Sequence, residues 1–187
     1  MLKDWLKPVE QGPKHDKVCS ARNGSAATGD WIIENPTFML WREGKKSDLW
    51  IHSKPGSGKS VIFSTIIDKI RSPTCLLAYY YFDFRASETE TTAGQFLASI
   101  VWQLARGSNH CFRRLLDYHL QNGLKDDPPT YSQFLECLYF MLGDFADVYI
   151  AIDALDEFAS ETWEKEILHI YPLLVFTCFL QVEERMT

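Results

Sequence analysis

Ser53-Lys54-Pro55-Gly56-Ser57-Gly58-Lys59-Ser60 is the stretch that decides the fold. It is nearly G-x-x-x-x-G-K-[ST], with Ser53 where the strict pattern has glycine. Glycines at 56 and 58 let the backbone curl, so that successive N–H groups point at one phosphate. A helix opening near Gly58 adds the positive end of its dipole. Lys59 is then spaced to reach β- and γ-phosphate oxygens, and the Ser60 hydroxyl to ligate Mg²⁺. Pro55, Gly56, Ser57, Gly58, Lys59, Ser60 and Val61 are therefore the expected nucleotide-binding residues. Ser53 suits a tight exit from a strand provided its φ stays negative.

The flanks agree with this reading. Residues 48–52, Asp48-Leu49-Trp50-Ile51-His52, make a short apolar run that predicts a buried strand. Residues 61–70 carry Val61, Ile62, Thr65, Ile66 and Ile70 at helical spacing, and Arg71-Ser72-Pro73 ends the helix. Further out, 75–84 predicts a second strand, dense in Leu and Tyr and covered on both faces as in a parallel sheet. Helices are predicted over 92–105, 111–120 and 131–142, the last two separated by Lys125-Asp126-Asp127-Pro128-Pro129. Residues 148–152 predict a third strand, 163–170 a helix and 173–179 a fourth strand. Upstream lies a short helix over 36–41. The first thirty residues, rich in Lys, Gly, Ser, Asn and Pro, read as a linker or loosely structured lead-in, with the domain proper over 31–187. Strands alternating with helices predict an α/β fold around a parallel sheet.

A phosphate loop needs a carboxylate to hold the metal. Val148-Tyr149-Ile150-Ala151-Ile152-Asp153 is an apolar run ending in one, and Asp153 is the expected Mg²⁺ partner of Ser60. Asp156 and Glu157 follow on the next turn. Glu157 is the candidate to orient or deprotonate an attacking water, with Asp156 supporting metal or water. The alternative is that both merely cap a following helix.

The bulk properties narrow the function. The 187 residues carry a net charge of −6 with 46% hydrophobic and 24% charged residues, the balance of a globular chain with a packed core. An acidic chain is a poor partner for nucleic acid, which requires clustered Lys and Arg. Five widely spaced cysteines without a C-x-x-C pair point to free thiols in a reducing, cytoplasmic setting. His52, His110, His119 and His169 are not at metal-ligand spacing with them. The most apolar stretch, 167–180, is too short to span a bilayer comfortably and is expected in the core.

Three blocks, LWIHSKPGSGKSVIFSTIID (49–68), LAYYYFDFRASETETTAGQFLASIVWQL (77–104) and VYIAIDALDEF (148–158), resemble the NACHT class of signal-transduction ATPases. The match is nearest to the nephrocystin-type N-terminal domains of fungal receptor-like proteins, and it runs over about 16–160. The paired acids after Asp153 are its most specific feature. The resemblance implies a three-layer P-loop NTPase, ATP or GTP with Mg²⁺ as cofactors, slow hydrolysis, nucleotide-controlled self-association, and neighbouring effector and repeat domains. It also implies a role for Thr28, Gly29 and Trp31 in holding the base, although a core place is the plainer expectation for Trp31. The family continues into an Arg-bearing sensor turn and a winged helix; with no Arg at the expected place after 173–179, and Arg185 too far on, the domain is expected to be C-terminally incomplete. The leading expectation is a nucleotide-driven switch. The rivals are a non-hydrolysing binding or scaffold fragment and a small-molecule P-loop kinase.

Overall fold

The computed structural model describes residues 1–23, 29–44, 48–52, 54, 56–83, 92–122, 127–143, 148–155 and 176–181. It is a mixed α/β fold. In chain order the elements are α1 (Leu2–Leu6), α2 (Gly12–Asn23), a 3₁₀ turn (Asp30–Ile32), α3 (Pro36–Arg42), β1 (Asp48–His52), α4 (Lys59–Ile70), β2 (Leu76–Tyr81), α5 (Ala93–Gly107), α6 (Asn109–Gln121), α7 (Tyr131–Leu142), β3 (Val148–Asp153) and β4 (Phe176–Gln181). The four strands form one parallel sheet in the order β1-β4-β3-β2.

Strand alternation divides the core in two. On β2 and β3, Leu76, Ala78, Tyr80, Val148, Ile150 and Ile152 face α5, α6 and α7. Their neighbours Leu77, Tyr79, Tyr81, Tyr149 and Ala151 face α4 together with Phe38 and Trp41 of α3. This explains the unbroken apolar runs in the sequence: both faces are covered, so neither parity can be polar. The helix after β1 and the helices after β2 therefore lie on opposite faces of the sheet. The helix starts are set by side chains: Asn35, Thr92, Ser108 and Thr130 each accept from first-turn amides of α3, α5, α6 and α7.

β2 is an edge of this sheet, and its outward backbone groups are sealed by side chains rather than by a strand. The Gln103 amide donates to the Tyr79 carbonyl at 2.8 Å and accepts from the Tyr79 N–H at 3.1 Å. Two residues on, the Tyr81 N–H donates to Gln11 Oε1 at 3.0 Å and Lys14 Nζ donates to the Tyr81 carbonyl at 3.4 Å.

The N-terminal segment departs from the linker reading of residues 1–30. α1 inserts Leu2, Trp5 and Leu6 into the core against α5, and α2 packs along α4. α2 docks by polar contacts. Arg22 Nη2 donates to Asp68 Oδ2 at 2.6 Å, and His15 Nε2 lies 3.2 Å from Asp68 Oδ1. Burial pushes the Asp68 carboxyl up, but the bonds from Arg22 and His15 outweigh it and hold the group below its ordinary value. Helix 61–70 gains its first residues Lys59 and Ser60, β2 is shorter than 75–84, and β4 sits slightly later than 173–179. The helix expected over 163–170 falls outside the described residues.

Leu6 is almost fully buried. Leu6→Ala is expected to cost about 2–5 kcal/mol, the range for emptying a core leucine site, read as a lower urea midpoint at unchanged slope. A free-ended linker would show no change.

Candidate functional site

The loop between β1 and α4 is shaped by two left-handed glycines. Gly56 has φ 77° and Gly58 φ 82°, a region open to glycine and costly for other residues. A Cβ on either would meet nothing within 4 Å, so the requirement is conformational rather than steric. Gly58 is the N-cap of α4, and its carbonyl accepts from Val61 N–H at 3.0 Å and Ile62 N–H at 3.1 Å. The Lys54 carbonyl gathers the Ser57 N–H at 3.3 Å and the Lys59 ammonium at 3.1 Å. Lys59 is thus drawn back across the loop it follows. The opening amides of an α-helix have no intrahelical acceptor and carry the positive end of its dipole. Such an arrangement has the chemistry to receive an anion.

Asp153 ends β3 and is only 4% exposed. Alternation puts it on the parity of Tyr149 and Ala151, the face that carries α4. Its carbonyl accepts the Phe82 N–H at 3.1 Å. The next residue, Ala154, has φ 55°, a left-handed conformation that costs a non-glycine residue about 1–2 kcal/mol. Fully buried Leu155 anchors the turn beyond it. Tyr81 is the register partner of Asp153 on β2. Its ring meets Phe63 of α4 edge-on at 4.9 Å, and its hydroxyl lies 2.8 Å from His15 Nδ1. Burial, and after it the Asp153 carboxylate, push the Tyr81 phenol above its ordinary range.

Six expected residues, Gly56 to Val61, therefore lie together at the start of α4, and Asp153 lies at the end of a strand covered by the same helix. Pro55, Asp156 and Glu157 lie outside the described residues, as does Thr28. Trp31 corrects an expectation: it is 56% exposed, not a core aromatic, because the short turn buries Ile32 instead. Gly29 is pressed onto α4, where a Cβ would come 3.0 Å from Thr65 Oγ1 and 3.5 Å from the Ile62 Cα. Tyr81 and His15 went unrecognised as neighbours of the site, because a strand tyrosine in an apolar run carries no local signal of what lies at its hydroxyl.

Two cavities of about 420 and 450 Å³ open elsewhere. One lies at the carboxyl end of α4 by Lys69 and Ile70, the other along the outer edge of β2 by Tyr79 and Gln103. The described residues of the loop between β1 and α4 line neither.

The family model described as nephrocystin 3, N-terminal, matches residues 27–177. The chain is 28% identical over 160 residues to the vegetative incompatibility protein HET-E-1 of Podospora anserina. That alignment covers 80% of this chain and 12% of the relative, so the chain spans about an eighth of that protein's length. No solved structure matches.

Gly58→Ala is expected to cost about 1–2 kcal/mol through its positive φ alone. Gly29→Ala is expected to cost more, because φ is 100° and the new Cβ crowds Thr65. Gly12→Ala, in open space, serves as control. Urea unfolding of the three variants checks the order, and a neutral Gly29→Ala would contradict the close approach.

Proposed function

The chain belongs to the nephrocystin 3, N-terminal family, and on that premise we propose that it is the nucleotide-binding module of a signal-transduction switch, a NACHT-type P-loop NTPase domain. The observation that carries this reading is the left-handed Gly58 N-cap, which brings Lys59 and Ser60 to the start of α4 directly after β1, with buried Asp153 ending a strand under the same helix.

The residues fit a nucleoside triphosphate with Mg²⁺. Amides of Gly56, Ser57, Gly58, Lys59 and Ser60 would hold the phosphates, with Pro55 and Val61 bounding the loop. Lys59 would exchange the Lys54 carbonyl for phosphate oxygens. Ser60 and Asp153 would hold the metal between them. β1 and β3 stand on either side of β4, and two strand spacings of about 4.8 Å leave room for a phosphate chain between those two groups. Bound Mg²⁺ neutralises charge between the β- and γ-oxygens. Glu157, with Asp156 beside it, is the proposed base for slow hydrolysis in the complete protein. ATP is the favoured nucleotide, and GTP is the alternative.

The relative's name ties that protein to vegetative incompatibility. We carry over only the coarser role: a switch whose nucleotide state governs association with further copies or other signalling chains, in the cytoplasm. Among the described residues no helix is long and apolar enough to cross a membrane. The acidic balance of the chain argues for no nucleic-acid partner.

Lys59→Ala should weaken ATP binding about 10- to 100-fold, the worth of a charge-assisted hydrogen bond of about 1.5–3 kcal/mol. Asp153→Asn should remove the dependence of that affinity on Mg²⁺. Calorimetric titration of ATP and GTP, with circular dichroism to check each fold, reads both. Unchanged affinity in a folded Lys59→Ala chain would sink the reading.

A further inference from the structure

We propose that His15 and Cys19 of α2 and Asp68 of α4 form a binding site for a divalent transition-metal ion of the zinc class, which would rivet α2 to α4. His15 and Cys19 are four residues apart and so share one face of α2. Asp68 stands opposite, on the outer side of α4. His15 Nε2 lies 3.4 Å from Cys19 Sγ and 3.2 Å from Asp68 Oδ1, while Cys19 Sγ lies 3.8 Å from Asp68 Oδ2. Tetrahedral zinc, with bonds of about 2.0 Å to N and O and about 2.3 Å to S, sets its ligand atoms about 3.3–3.6 Å apart. The two spacings from His15 Nε2 match edges of such a tetrahedron, and one ligand atom from each of the three residues lies within 4.8 Å of the others.

Without an ion, His15 and the Cys19 thiol each donate to an Asp68 oxygen, which leaves the 3.4 Å approach of His15 Nε2 to Cys19 Sγ without a proton of its own. A ring nitrogen offers one proton or one lone pair, yet His15 Nε2 faces a carboxylate oxygen and a sulfur at once. A cation among the three satisfies all of them. The imidazole–thiolate–carboxylate set suits Zn²⁺, with water in the fourth position. The surroundings are those of an oriented ligand. The other ring nitrogen of His15 is 2.8 Å from the buried Tyr81 hydroxyl, which would accept its proton and fix the ring. Arg22 Nη2 holds Asp68 Oδ2 at 2.6 Å, leaving Oδ1 turned to the histidine. On binding, the Cys19 thiol proton leaves to solvent. The site is separate from the phosphate loop: Asp68 lies nine residues beyond Lys59 on α4, about 13 Å along the axis.

The test uses the full chain, stripped with chelator and titrated with Co²⁺ and then Zn²⁺. One equivalent of Co²⁺ should bind, giving visible d–d bands and a near-ultraviolet thiolate-to-cobalt band that Zn²⁺ abolishes. Cys19→Ser should lose the thiolate band. His15→Gln should weaken Zn²⁺ binding about 100-fold or more, and Tyr81→Phe about 10-fold, with the band retained. Zn²⁺ should also raise the melting temperature of the unmodified chain and leave that of Cys19→Ser unchanged. Failure of the unmodified chain to take up cobalt overturns the site whatever the variants do. So does a thiolate band that survives in Cys19→Ser, which would locate the ligand at another cysteine.

Discussion

The structure depends on α4 being clamped between two layers. Ile62, Phe63, Ser64, Thr65, Ile66, Ile67 and Ile70 are all buried. Phe63, Ile66 and Ile67 belong to the core shared with the sheet. The opposite side lies under α2 and the turn at Gly29, which is why a serine and a threonine can be buried there. Both hydroxyls return to the Val61 carbonyl, at 2.8 and 3.0 Å, and both lie 3.4 Å from Arg22 Nη1. A helix held this way cannot shift along its axis without opening packed contacts on both faces. Its N-terminal amides are therefore fixed relative to β1, and a dipole is useful to an anion only when it is fixed.

The sheet supplies the complementary constraint. The same pleat that sends Ile150 and Ile152 toward α5–α7 sends Ala151 and Asp153 toward α4. A slip of one residue in the β2–β3 register would turn the carboxylate to the wrong face and bury it among Phe96, Leu97 and Leu138 without a partner. The apolar residues at 148–152 thus do more than fill the core: they specify on which side the one charged residue of the strand emerges. The strained Ala154 that follows is consistent with a turn shaped to hold that position.

Much of this was legible before any coordinates. Long amphipathic helices such as Tyr131–Leu142 and strands such as Asp48–His52 declare themselves by period and by capping residues. The turn between β1 and α4 was legible because Gly56 and Gly58, both left-handed in the structure, stand at the spacing such a turn requires. The N-terminal helices were not. α1 is five residues long, too short for a period to show. α2, GPKHDKVCSARN, has no apolar stripe, because it docks on α4 largely through His15, Arg22 and Asp68. Pairings between polar residues about 50 positions apart leave no periodic trace. For the same reason His15 could not be matched to Asp68.

Tyr81 shows why that missed segment belongs to the site rather than beside it. Its N–H is held by Gln11, its carbonyl by Lys14 and its hydroxyl by His15, so the N-terminal segment satisfies every polar group the residue has. Its ring rests on Phe63 of α4, and its backbone pairs in register with Asp153. Loss of Gln11 and α2 would leave the Tyr81 end of the β2 edge unsealed and a buried phenol without its partner, next to the carboxylate at the end of β3. The position of Asp153 relative to α4 is thus set from three directions at once: the β2–β3 register, the Tyr81–Phe63 contact, and the helix that precedes both in the chain. A segment that reads as a tether in composition is, by its contacts, the outer wall around Tyr81, the register partner of Asp153.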